Sequence, residues 1–234
     1  YYLKKSTKLI VVEPNIENVE IIRSKYADEI TSHNLFIENS VIVSNKKESK
    51  VPFFIHKKRD VMSTLIKPAT SEIHNYREVL LPCKTPDEII KLHGKPYYIK
   101  IDVENYDLEI LKSLWENSIF PAFLSFECHN ISTFTYLKSN FEYKFFNIVF
   151  GNRISYEYKN HLIRTNVGES RFNFKTHSAG PFGTDIKYPW LSVRDISKIL
   201  SWSGGGWIDI HCTNEDIKRH SNFLTLTLLR IKNY

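Results

Sequence analysis

KPYYIKIDVENYDLEILKSL, residues 95–114, is the stretch whose reading decides the fold. A short apolar run over 97–103 passes directly into helical spacing, which puts Leu108, Leu111 and Trp115 on one expected face. Two carboxylates, Asp102 and Glu104, stand at the junction. The pattern is that of a buried strand feeding a helix. Open α/β sheets bind ligands beyond the carboxyl ends of their strands. A carboxylate there is either chemistry or the polar start of a helix.

Working outward, strand and helix patterns alternate. LIVV, ending at Pro14, predicts a buried strand, and residues 15–30 predict a helix capped by Asn15 with Val19, Ile22 and Tyr26 on one face. NLFIENSVIVS, 34–44, is a strand region with a turn-prone Glu-Asn-Ser in its middle, and 50–57 and 63–67 are short extended pieces. TPDEIIKLHG, 85–94, carries the full set of helix-end signals: Thr85 and Glu88 for a capping box, Pro86 at the first position, Gly94 at the end. FPAFLSFECHN, 120–130, is another apolar strand with polar residues at its end. NFLTLTLLRI, 222–231, alternates as a terminal sheet strand. Strands separated by helices imply a largely parallel sheet with helices on both faces. The expected organisation is a core over 1–150, an inserted lid or substrate region over 151–220 and a last strand of the same domain over 221–234.

Bulk properties narrow the classes. The chain has 234 residues, 42% hydrophobic and 25% charged, an ordinary globular composition with ample core. No apolar run approaches the roughly 20 residues of a membrane span. Cys83, Cys128 and Cys212 are scattered and odd in number, which predicts a reduced, cytoplasmic setting; no targeting sequence is recognised. The net charge of +6 comes from dispersed lysines, read as solvated loops. Nucleic acid is therefore an unfavoured partner, and an Asn-Pro-Pro-aromatic motif is also lacking.

Three strands end in carboxylates, Glu13, Asp102 and Glu127, and parallel strands would bring all three to one sheet edge. Glu13 suits a ribose, whose hydroxyls donate to one carboxylate. His129, two residues beyond Glu127, shares its side of the strand if the chain stays extended. His177 lies in a Gly/Pro-punctuated loop, HSAGPFG, and Asp209 and His211 share one face of WIDIH. That pair lacks the further ligands a metal requires, so no metal is assigned. Trp190, Trp202 and Trp207, with Phe182 and Tyr188, offer aromatic faces for a sugar ring or flat acceptor.

LIVVEPN, FIENSVIVS and YYIKIDVENYDLEIL, in this order and spacing, resemble the FkbM family of S-adenosylmethionine-dependent methyltransferases. The family's Lys-Ile-Asp-Val-Glu-Gly segment is matched by Lys100, Ile101, Asp102, Val103 and Glu104, with Asn105 in place of glycine. HSAGPFGTD and GGWIDIH are similar to elements of some members. The resemblance implies a Rossmann-like, mostly parallel sheet whose last strand is antiparallel, and methyl transfer to an oxygen, often of a sugar. It implies that Glu13 holds the cofactor ribose, that Asn39 and Ser40 lie near the adenine, and that Asp102 faces the methyl group and the acceptor. Asp102, His129 and His177 are the candidate catalytic groups; Glu127, Trp190, Asp209 and His211 are candidate acceptor contacts. The family's first strand and Gly-rich loop have no counterpart in the sequence, which opens at Tyr1 on a helix-like YYLKKS. The expectation is a fragment, with further domains or subunits as possible partners. The rival expectation is an inactive methyltransferase-fold subunit that binds or supports a larger assembly.

Overall fold

The computed structural model describes residues 1–176, 178–204 and 206–217. In chain order these form α1 (Tyr2–Lys5), β1 (Leu9–Val12), α2 (Ile16–Lys25), α3 (Ala27–Thr31), β2 (Leu35–Glu38) and β3 (Val41–Ile42). Next come β4 (Lys50–His56), β5 (Tyr76–Lys84), α4 (Pro86–His93), β6 (Tyr98–Ile101) and α5 (Asp107–Glu116). The remainder is β7 (Phe123–Glu127), α6 (Ile131–Asn140), β8 (Phe145–Phe150), α7 (Ile154–Glu157), β9 (His161–Thr165), β10 (Gly168–Phe172), α8 (Val193–Ser203) and β11 (Ile208–Thr213). The fold is α/β with mixed sheets. It divides into two compact units, Tyr1–Lys95 with Val103–Ile119, and Pro96–Asp102 with the described residues from Phe120 on.

In the first unit β1 and β2 pair in parallel, from Leu9 opposite Leu35 to Val12 opposite Glu38. Asn15 caps α2 as its sequence predicts, its side chain accepting from the Glu17 N–H at 3.1 Å. The expected single helix over 15–30 breaks at Tyr26, whose φ of −124° and ψ of 36° are not helical. The capping box of α4 is complete: Thr85 Oγ1 accepts from the Glu88 N–H, and Glu88 accepts from the Thr85 N–H. A second small sheet, β3-β5-β4, packs around Val41, Val43, Phe53, Ile55 and Cys83. β5 has no clear sequence signal, because Arg77, Glu78 and Pro82 interrupt its alternation; pairing with β4 over 76–82 and with β3 over 83–84 makes it a strand. On α5 the buried face is Asp107, Ile110, Leu111 and Leu114, while Trp115 remains 38% exposed. The inward stripe thus lies about one position away from the expected 108/111/115 face.

The turn before α5 explains Asn105. Glu104 and Asn105 both have left-handed backbones, with φ of 44° and 71°. Glycine suits such a position best, and asparagine tolerates it better than other side chains. Thr64 Oγ1 donates to the Glu104 carbonyl at 3.1 Å and Tyr106 Oη lies 2.9 Å from Ser44 Oγ, so the turn is tied down on both sides.

The second unit is organised by a four-stranded sheet of order β6-β7-β11-β8. β6 and β7 are parallel, and β11 runs antiparallel to both β7 and β8. An antiparallel strand therefore exists, but residues 208–213, assigned from the sequence to the inserted region, form it. The expected strand over 221–234 lies outside the described residues. Among the described residues Glu13 follows a strand of one sheet, while Asp102 follows and Glu127 ends strands of another.

The register divides this sheet into two unlike faces. One carries Ile99, Ile101, Leu124, Phe126, Ile210, Cys212, Phe146 and Ile148, and α6 contributes Phe134 against Phe146. The other carries Lys100, Ser125, Glu127, Asp209, His211 and Asn147, and the last five are buried. Residues 182–191 cover this polar face. Phe182 stacks on Tyr98 at 4.1 Å, Trp190 meets Phe123 edge-on, and Asn147 donates to the Tyr188 carbonyl at 2.8 Å. No described helix is long and apolar enough to cross a membrane.

Replacing Asn105 by glycine is expected to leave stability within about 0.5 kcal/mol. Valine at that left-handed position is expected to cost about 1–2 kcal/mol. Urea unfolding of both variants checks the difference; equal midpoints would contradict the turn assignment.

Candidate active site

In the first unit Glu13, Asn39 and Ser40 come together where β1 and β2 end. Glu13 Oε1 accepts from the Asn15 N–H at 2.7 Å, and burial pushes its carboxyl above the usual carboxylate range. The Asn39 amide donates to the carbonyls of Glu13 and Pro14, at 2.9 and 3.1 Å, and so fastens the two strand ends. Ser40 is buried, and its hydroxyl has no hydrogen-bond partner among the described residues.

In the second unit Asp102 follows β6 and Glu127 ends the adjacent parallel β7, so both reach the carboxyl edge of the pair. A cavity of about 50 Å³ opens there, lined by Lys100, Asp102, Glu127 and Asp209 and walled by Gly151, Ile154, Ser178, Ala179 and Trp207. The space admits one or a few small groups and is well below the roughly 300 Å³ at which whole-ligand pockets begin. Lys100 Nζ donates to Asp209 Oδ1 at 2.7 Å and lies 3.5 Å from Asp102 Oδ2. To do so its stem crosses β7, where the residue level with Lys100 is the small, buried Ser125. His129 Nε2 lies 3.0 Å from Glu127 Oε2. Carboxylate oxygens of Asp102 and Glu127 come within 4.8 Å of each other. With Lys100 supplying the positive charge, we read these two as hydrogen-bond acceptors.

The electrostatics follow from burial. Asp209 is pushed above the usual aspartate range by desolvation, against the pull of Lys100. His211, on the same face of β11, is pushed down to about 3 by burial, with the nearby Lys100 charge acting in the same direction. It is a neutral, buried histidine whose Nε2 has no hydrogen-bond partner among the described residues. It does not line the cavity, and its candidate role as an acceptor contact rests on the sequence alone. Trp190, at 4% exposure, packs on Phe123 inside the unit and does not line the cavity. His129 is exposed and flanks Glu127. His177 lies outside the described residues.

Lys100 and Ser178 stand in stretches quoted from the sequence but carried no site role there, and Gly151 was not singled out; of the aromatic set it is Trp207 that reaches the cavity. A side chain on Gly151 would place its Cβ 2.4 Å from the Trp207 ring, so only glycine lets the indole lie there. The one available signal was a lysine inside an otherwise apolar strand.

Fold and site together define an α/β protein with a carboxylate-rich cavity at the carboxyl edge of parallel strands. The methyltransferase FkbM domain model matches residues 1–158, and the chain belongs to that family. A crystal structure of the methyltransferase FkbM from Methylobacillus flagellatus is similar at 15% identity and a TM-score of 0.38, over 62% of this chain. This chain spans 33%, about a third, of that protein. No curated protein matches the sequence.

Because His211 is neutral when folded and ordinary when unfolded, acid favours the unfolded chain. Its contribution to stability is full above about pH 6.5 and falls as the pH drops toward 3. One proton corresponds to at most about 1.4 kcal/mol per pH unit. His211→Asn is expected to flatten this slope in urea unfolding between pH 6.5 and 4; an unchanged slope would place the acid sensitivity elsewhere.

Proposed function

We propose that this chain is an S-adenosylmethionine-dependent O-methyltransferase whose acceptor is a hydroxyl, of a sugar or glycan. The observation that carries the reading is a cavity lined by three carboxylates, two of which share the Lys100 ammonium, beside an indole wall. Carboxylates accept hydrogen bonds from hydroxyls, and an indole face suits the C–H face of a sugar ring. The family supplies the reaction class.

Residues of the first unit suit the cofactor chemically. Glu13 offers a carboxylate to ribose hydroxyls, and Ser40 has a buried hydroxyl without a hydrogen-bond partner among the described residues, the kind of orphan a bound ring nitrogen or amino group would satisfy. Asn39 has spent its amide N–H groups on backbone carbonyls, so its contribution is to shape the turn. When bound, the cofactor supplies a methyl group on a sulfonium. The chain's own residues do the rest. Asp102, the most exposed of the three carboxylates around the lysine, receives and orients the acceptor hydroxyl. Glu127, braced by His129, and the Trp207 indole limit how the acceptor sits. Much of the rate in such a displacement comes from that alignment. His177 remains a candidate base on its sequence position.

Calorimetric titration of S-adenosylhomocysteine is expected to give saturable binding that Glu13→Ala weakens at least tenfold. Asp102→Asn is expected to keep that binding and to lower methyl transfer to glycoside acceptors on the order of 100-fold. Absence of binding would move the protein to the class of non-catalytic methyltransferase-fold subunits.

A further inference from the structure

We propose that Asp209 is the group that takes the acceptor's proton, and that Lys100 is the positioning residue that makes this possible by sharing its ammonium between Asp209 and Asp102. The assignment rests on the methyl-transfer reading of the cavity. It is carried by geometry. Asp209 lines the cavity from β11, with its side chain only 10% exposed. Lys100 engages one oxygen, Oδ1, at 2.7 Å, and Oδ2 has no hydrogen-bond partner among the described residues. The other carboxylates are committed differently: Glu127 lies 3.0 Å from His129, and Asp102 has a half-exposed side chain that water solvates.

The charged and titratable groups facing Asp209 are Lys100 and Asp102 from β6 and its end, and Glu127 and His129 from β7 and its end. His211 stands two residues along on its own strand. Among them only Lys100 bridges two carboxylates. When Asp209 is neutralised by a proton, the ammonium keeps a charged partner by leaning to Asp102, 3.5 Å away. Neither protonation state then strands a buried charge, which would otherwise be strongly unfavourable. Desolvation also pushes Asp209 upward, in the direction that makes a carboxylate a better base.

The step balances. The acceptor O–H bond breaks and its proton goes to Asp209. The oxygen lone pair forms the new O–CH₃ bond with the donor's methyl group. The S–CH₃ bond pair stays on sulfur, so the sulfonium and Asp209 each become neutral while Lys100 keeps its charge.

The test reads carboxyl ¹³C shifts against pH in the intact protein, with Asp209 identified by comparison with Asp209→Asn. Asp209 is expected to titrate above the ordinary aspartate range, because burial disfavours its charge. Lys100→Met is expected to raise its proton affinity at least tenfold further, and Lys100→Arg to restore the native value. In Asp102→Asn, which leaves the buried pair intact, the midpoint is expected to fall, because Asp102 no longer disfavours the Asp209 charge. An Asp209 midpoint in the ordinary range, or one that ignores both Lys100→Met and Asp102→Asn, overturns the assignment. If Lys100→Met fails to fold, Asp102→Asn decides alone. No methyl donor or acceptor enters this measurement, so its failure is distinct from a failure to bind S-adenosylhomocysteine.

Discussion

Water is excluded from a sheet face that is polar, and the rest of the second unit answers that constraint. Ser125, Asn147, Asp209, His211 and Glu127 lie on one side of β7, β11 and β8 and are almost wholly buried. A polar group removed from water without a partner costs on the order of 1–3 kcal/mol, and a charge costs more. Lys100 therefore meets Asp209, Tyr98 meets Ser125 at 2.6 Å, and Asn147 takes the carbonyls of residues 188 and 189. Those carbonyls belong to the segment that covers the face, so the cover and the polar residues stabilise each other. The opposite face shows how an ordinary core would look: Leu124, Phe126, Phe146, Ile148 and Ile210, each at or near zero exposure.

A sheet that only needed stability would have used apolar residues on both faces, since replacing a buried ion pair by packed hydrophobes is often neutral or stabilising. The polar face is best understood through the cavity at its end. There Lys100 and Asp102 act on the charge of Asp209, with Glu127 beside them, in a space sized for a small reacting group. Trp207 closes one side and can do so because residue 151 is glycine.

Local signals in the sequence were read well where the physics is local. The Thr85–Glu88 capping box, the Asn15 cap and the break at Asn39–Ser40 all depend on neighbours a few residues apart, and all are present. The period of two in WIDIH put Asp209 and His211 on one face, as observed. What local reading could not see was that this strand inserts between β7 and β8, since Asp209 and its partner Lys100 are 109 positions apart. Pairings of that range leave no trace in periodicity. For the same reason Lys100 looked incidental, and Trp190, chosen for its aromatic face, proved to fill the core. Asn105 shows the reverse: a departure from the family pattern that a single backbone angle accounts for.

The most direct test of this account is a double-mutant cycle on the buried pair. Urea unfolding would be measured for the native chain, Lys100→Met, Asp209→Asn and the double variant. Each single change should destabilise strongly, on the order of 3–5 kcal/mol for loss of the lysine, and the double should recover part of that loss. A coupling of about 1–3 kcal/mol is the predicted result. Single effects that simply add, within about 0.5 kcal/mol, would mean that Lys100 does not compensate Asp209, and the cavity would lose the charge arrangement on which its proposed chemistry depends.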